Sequence, residues 1–305
     1  MTQSMAKPKK EEQSLEFGGQ ALIEGVMMRS GTHMVLCVRQ PDDEISTHCQ
    51  EISSLVKRSR VLGLPFIRGV ILLFETMYYG VKGIFHSAIV ALEDEEEEVT
   101  WKEYLLVLIS VVAMTGFFMV VPFLLATYLG LTGVLLNIAE SAVRLTLFVL
   151  YLYLVSRWGE FRRVLQYHGA EHKAINAHEA GASMETETVA GFSRLNPRCG
   201  TSFLLIVMII SILVFSILPK STFAMRIAYR VVLIPVLGAI SYEILKLSDK
   251  YRDSPIMKLI ITPGLAMQRF TTQEPELDMI EVAVRALEEV KRLNELEPRG
   301  EADSL

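Results

Sequence analysis

The stretch VLQYHGAEHKAINAHEAG, residues 164–181, holds three histidines and two glutamates close together. On a helix, His168 and His172 lie one turn apart on one face and can both reach a single ion, with Glu171 beside them. Continuing the helical wheel brings Asn176 and Glu179 to the same side, whereas His178 points away. The H-x-x-E-H pattern is that of inverted zinc peptidases, in which the glutamate is general base on a zinc-activated water. The chemistry these residues offer is therefore divalent metal binding, zinc first, with Glu171 as the catalytic base. The structural alternative is a juxtamembrane helix whose His and Glu side chains pair with one another or with Lys173 and Arg163.

Zinc takes three or four nitrogen, oxygen or sulfur ligands, so His168 and His172 need help from elsewhere in the chain. Cys199, in NPRCGTSF, ranks first. Glu179, Glu187 and Glu243 compete with it, Glu243 because an acid inside an apolar segment is a functional candidate by default. His33, His48 and His86 have no ligand-like neighbours in sequence and read as ordinary.

The elements that must position these groups are mostly apolar. Hydrophobic residues make up 51% of the 305, a fraction that decides little until the runs are located. YLLVLISVVAMTGFFMVVPFLLATYLG (104–130) carries no charge and is long enough to span a bilayer, with Pro122 as a kink. VLLNIAESAVRLTLFVLYLYLVS (134–156) holds Glu140 and Arg144 at i,i+4, a pairing that lowers the cost of burying either. TSFLLIVMIISILVFSILP (201–219) and VVLIPVLGAISYEILKL (231–247) are shorter. The expected fold class is mainly α: a polytopic membrane protein with about four transmembrane helices in two hairpins, 104–156 and 201–247. The H-x-x-E-H block, 157–200, lies between the hairpins. Lys and Arg cluster in 157–200 and after 247, which places that block and both termini in the cytosol.

Before the first hairpin, 17–98 reads as a small cytosolic α+β region. HMVLCVRQ and EISTHCQEI alternate around PDD, a β-hairpin pattern. The helical stretch 64–92 carries Arg68, Glu75 and Lys82 at seven-residue steps and His86 four later. That is a narrow polar seam on an apolar helix, suited to the membrane interface or to an ion-paired core. EDEEEE (93–98) reads as an acidic linker. Residues 1–16 are polar with no apolar run behind them, so a disordered start rather than a signal peptide is expected. The tail 248–305 is expected to be cytosolic, with a helix beginning near TQEP, Ile280, Val284 and Leu287 on its apolar stripe, and a frayed end at GEADSL. The formal net charge of −5 provides no global basic field for nucleic acid. Cys37, Cys49 and Cys199 show no CxxC spacing, consistent with reduced thiols in the cytosol.

Several strings together resemble one family: GGQALIEGVMMRSG (18–31), LPFIRGV (64–70), YHGAEHKAINAHE (167–179), NPRCGTSF (196–203), AISYE (239–243) and TTQEPE (271–276). They look like the YqhQ-like bacterial membrane proteins, which carry a provisional label as metal-dependent enzymes with no substrate assigned. The resemblance runs from about residue 17 to 290. It implies a multi-pass protein of the bacterial inner membrane with a site built on His168, Glu171, His172 and Cys199. Glu24, Arg29, Asn176, Asn196, Arg198 and Glu243 would be supporting or substrate-contacting groups. One departure stands out: the family's cysteine motif has histidine before Pro-Arg-Cys-Gly, and this chain has Asn196. Asparagine still donates and accepts hydrogen bonds, so a supporting role survives the exchange better than a ligand role. Within GGQALIEGVMMR the glycines suit tight turns or close backbone approach, while Glu24 and Arg29 read more readily as a packed ion pair.

Two functions compete. One is a metal-dependent, hydrolytic membrane enzyme with a cytosol-facing site at the lipid boundary, acting on a lipid headgroup or a membrane-protein segment. The other is a non-catalytic scaffold or assembly factor in which the metal clamps the two hairpins. Transport is weaker, since the spans offer few polar groups. Closed four-ligand coordination would indicate the scaffold, because catalytic zinc keeps one position open.

Overall fold

A computed structural model describes residues 17–92, 100–216, 222–251 and 254–296. The expected disordered start, the acidic linker and the frayed end lie outside these residues. Among the described residues are four strands, β1 (Gly18–Leu22), β2 (Gly25–Ser30), β3 (His33–Arg39) and β4 (Ile45–Glu51). The helices are α1 (Ile67–Leu92), α2 (Trp101–Tyr128), α3 (Gly133–Arg157), α4 (Gly159–Glu179) and α5 (Thr186–Ala190). They continue with α6 (Gly200–Ser216), α7 (Phe223–Lys250), α8 (Pro255–Thr271) and α9 (Leu277–Leu296).

The strands form an antiparallel meander in chain order. β3 and β4 are the hairpin expected around PDD, in the register Cys37↔Thr47. β1 and β2 were not legible as strands: β1 opens on two exposed glycines, and β2 is buried along nearly its whole length. Val26, Met28, Val35 and Cys37 face a core shared with Tyr167, Ala170 and Ala174 of α4 and Met279, Ile280 and Leu287 of α9. Leu22, Met27, Met34 and Leu36 face the opposite way, toward Tyr79 of α1. A strand buried on both faces reads as a continuous apolar run and loses its alternation. The last helix, α9, buries Ile280, Val284 and Leu287 as its spacing implies.

Three helices are long and apolar enough to cross a membrane: Trp101–Tyr128, Leu135–Arg157 and Ala228–Leu247. The fourth expected span is a shorter apolar helix, Gly200–Phe215. α2 packs on α3, and α6 packs on α7 and α8. The tail contains one helix more than expected: α8, which carries Pro263 and lies against α6 and α3. Prolines at positions 255 and 263 had masked its periodicity.

The polar seam of α1 faces protein along its whole length. Arg68 donates to both carboxylate oxygens of Glu243 at 2.8 and 2.6 Å. Glu75 accepts from Ser54 and from the Leu55 amide, Lys82 donates to Gln50, and the His86 ring lies 4.7 Å from that of His48. Each partner comes from another element, so the seam docks α1 onto the sheet and α7 rather than forming a ladder within the helix.

Candidate metal centre

Trp158 ends α3 and begins α4 with one extended residue (φ −77°, ψ 124°), so the apolar helix leads directly into the H-x-x-E-H helix. α4 presents His168 and His172 one turn apart, with ring centroids 4.4 Å from each other. The loop after α5 returns the chain to this face and delivers Cys199 immediately before α6. One ligand atom from each of His168, His172 and Cys199 can be chosen so that all three lie within 4.8 Å of one another. Of these atoms, His168 Nε2 lies 3.2 Å from Cys199 Sγ.

The imidazoles are held by backbone carbonyls. His168 Nδ1 lies 2.7 Å from the carbonyl of Thr271, and His172 Nδ1 lies 2.6 Å from that of Arg194. A carbonyl can only accept, so each Nδ1 carries the proton and each Nε2 keeps its lone pair for the centre. This is the outer arrangement that metal-ligating histidines use to fix tautomer and ring orientation. Cys199 Sγ in turn receives the Thr201 amide at 3.4 Å and lies 3.2 Å from the Thr201 hydroxyl, at the first turn of α6. Two imidazole nitrogens and one sulfur form a donor set that suits zinc and similar borderline ions. The residues present therefore fit the metal their pattern implied.

Glu171 stands beside this set. Its carboxylate is 3.9 Å from His168 Nε2 and 3.7 Å from His172 Nε2, and the residue is 4% exposed. Burial pushes its carboxyl up to about 7, with His168 acting in the opposite direction. Strand β1 makes that burial possible. A Cβ at Gly19 would lie 2.6 Å from Glu171 Cγ, so only glycine lets the strand close over the acid. Gly169, inside the motif, serves a similar purpose on the other side of α4. A Cβ there would sit 2.2 Å from the carbonyl oxygen of Gln273. The close approach lets residues 271–275 lie along α4, with the Gln273 amide donating to Leu165 and Gln166 to Glu274. Thr271 is thereby brought to His168.

The remaining expected site residues divide into two groups. Arg29, Asn196 and Arg198 line the cavity that contains the three donors and Glu171. Arg29 lies 3.7 Å from Glu75 and over the ring of Tyr79. Asn196 is buried, and its side chain links Asn176 to the Arg198 amide. Glu24, Asn176, Glu179 and Glu243 lie outside the cavity wall. Glu24, at a turn with φ 50°, binds Arg163 through both oxygens and pins the β1–β2 turn to α4. Asn176 holds the carbonyls of Ser193 and Leu195.

Glu179 is a correction to the expected ligand set. It belongs to an ion pair with Arg198 at 2.6 Å and is not one of the three converging donors. A helical wheel ignores rise: seven residues beyond His172, at 1.5 Å each, Glu179 is about 10 Å further along the axis. Glu243 is held by Arg68, and Glu187 is exposed on α5. Of the local pairings, those with Lys173 and Arg163 do not form, because Lys173 pairs with Glu274 and Arg163 with Glu24, whereas Glu171 does stand within 4 Å of both imidazoles.

Sequence reasoning missed Thr271, Arg194 and Gln268. The first two act through carbonyls, which no side chain announces. Gln268 is fully buried and joins the Asn196 backbone to Ser202. The signal available near Thr271 was TTQEPE, read as one of the family-like strings and, in TQEP, as a helix start.

Comparison with known proteins places the chain among relatives without adding chemistry. The family model described as "Protein of unknown function (DUF1385)" matches residues 64–293. The chain is 35% identical over 308 residues to "Uncharacterized protein YqhQ" of Bacillus subtilis (strain 168), covering 94% of this chain and 96% of that protein. No solved structure matches.

Proposed function

The chain belongs to the DUF1385 family, as its resemblance to the YqhQ-like proteins implied, and we propose that it is a membrane-integrated, metal-dependent hydrolase. The observation that carries this reading is the pinning of both Nδ1 atoms by backbone carbonyls, which leaves two Nε2 lone pairs converging with Cys199 Sγ. Zinc is the expected ion, and when bound it would supply Lewis acidity to an oxygen in the cavity. Three protein donors leave a coordination position open, as catalytic rather than structural zinc does. Glu171 is placed to take the proton of an attacking water. The water oxygen forms the new bond to an acyl or phosphoryl centre, the bond to the leaving group breaks, and the proton passes from Glu171 to that group.

The membrane topology belongs to the same reading. Four helices, α2, α3, α6 and α7, cross the bacterial inner membrane as two hairpins, with both termini and 157–200 in the cytosol where Lys and Arg concentrate. The runner-up is a non-catalytic scaffold, supported by the fact that the donors tie α4 to the start of α6.

Elemental mass spectrometry on the full chain purified in detergent tests the metal. One equivalent of zinc in the wild type, lost in His168→Ala and in Cys199→Ser, is expected. A wild type without stoichiometric metal, with both variants folding normally, would sink the proposal. Glu171→Gln should keep the ion; if it also kept hydrolytic turnover on a substrate the wild type cleaves, the scaffold reading would replace the enzyme.

A further inference from the structure

The cavity of about 720 Å³ beside the donors does not end at polar groups. It lies between β1 and β2 on one side and α1, α6 and α7 on the other, and its lining combines polar and apolar residues. His168, Glu171, His172 and Cys199 line it, together with Arg29, which lies 3.7 Å from Glu75, and Arg198, whose guanidinium pairs with Glu179. Away from them the wall is Leu72 of α1, Leu204 of α6 and Leu245 of α7. Leu204 is 48% exposed, on a helix that is apolar throughout its length. α7 contains one of the membrane-length apolar segments. A site built for a water-soluble substrate has no need for an apolar wall contributed by such helices. A chamber of this size is ample for a ligand with one polar and one apolar part.

The geometry points to a bilayer amphiphile as the substrate: an anionic phosphate or carboxylate head at the donors and Arg29, and a hydrocarbon chain lying between α1, α6 and α7. This rests on the hydrolase reading for what happens to the head, but the binding claim stands on the cavity alone. Charge and polarity sort the two parts. Arg29 and Arg198 are the two arginines of the lining, and burying each CH₂ in the apolar part contributes about 0.8 kcal/mol. Entry from the membrane side follows from the position of Leu204.

The test uses the full chain in amphipol with dodecyl phosphate as probe and inorganic phosphate as the headgroup control, both by calorimetric titration. Leu72→Trp and Leu204→Trp fill the apolar part without touching the donors, and Arg29→Gln removes the cation. Dodecyl phosphate should bind the wild type at least ten-fold tighter than either tryptophan variant, and Arg29→Gln should weaken it while leaving dodecanol unaffected. Equal affinity in wild type and both tryptophan variants would overturn the inference, because it would mean adsorption to the apolar surface in general. Inorganic phosphate binding as tightly as dodecyl phosphate would overturn it too, by showing a free-phosphate site. Metal content measured on the same samples keeps the two readings apart. Loss of chain-dependent binding with the metal retained breaks only the substrate class, and absence of metal with chain-dependent binding intact breaks only the hydrolase.

Discussion

Two buried polar clusters sit at different depths of this chain, and they are built on opposite principles. Between α3 and α7, Glu140 is 1% exposed, and one of its oxygens lies 2.5 Å from both Arg144 and Arg230. Arg144 also donates to the carbonyl of Phe118 at 3.0 Å. That carbonyl belongs to the residue four before Pro122, which has no N–H to return to it. Arg230 lies over the ring of Phe215. Both guanidinium groups share one oxygen of the single carboxylate, with a carbonyl and an aromatic face beside them, while the other Glu140 oxygen is buried without a hydrogen bond among the described residues. At the α4–α6 junction the opposite holds: lone pairs converge, and the nearby Lys173 and Arg163 are engaged by Glu274 and Glu24. Both clusters are buried and polar, yet among the described residues it is the second that gathers imidazole and thiol ligand atoms within reach of one ion.

That difference sets the largest expected effect. Glu140→Ala leaves two guanidinium groups buried together, and removing one partner of a buried ion pair costs about 3–5 kcal/mol. A large drop in thermal midpoint, or failure to accumulate in the membrane, should follow in detergent-purified protein. His168→Ala measured in metal-free protein should shift the midpoint far less, because its partners are a backbone carbonyl and a thiol. Equal losses in the two variants would break the distinction between an ion-paired cluster and a receptive one.

A smaller effect separates ligands from the groups that orient them. Gly169→Ala would drive a methyl against the Gln273 carbonyl and displace Thr271 from His168. Loss of such an orienting partner typically weakens metal binding about 10–100-fold. Chelator competition on the purified protein would measure it, with stoichiometry unchanged at saturating zinc. Unchanged affinity would mean that the Thr271 carbonyl does not position the ring.

How much of this was legible depended on what carries each feature. The motif helix, Cys199 as the third donor and the β3–β4 hairpin are written in side chains at regular spacing, and all three have counterparts in the structure. The seam of α1 was visible as a stripe, but its partners Glu243, Ser54, Gln50 and His48 come from other elements. Glu179 was misplaced because angular position on a wheel says nothing about height. Arg230 could not be attached to Glu140 from sequence, since their pairing needs α7 to pack beside α3. Carbonyl partners such as those of Thr271 and Arg194 leave no trace in residue type.

The smallest effect concerns the imidazole pair of His48 and His86, which sharpens the contrast because its rings meet without a third donor among the described residues. His86 faces His48 from β4, with Lys82 one turn before it on α1. Burial, with both neighbours adding to it, holds the His86 imidazole below its ordinary value of 6.5. The unfolded chain then takes up a proton more readily than the folded one. Stability is therefore full above about pH 6.5 and falls as the pH drops below it. In metal-free protein, thermal midpoints should decline modestly between pH 7 and pH 5, and His86→Gln should flatten part of that slope. His168→Ala should leave the same part intact. If the slope followed His168 and ignored His86, acid sensitivity would belong to the metal centre, and the pair on α1 and β4 would be packing alone.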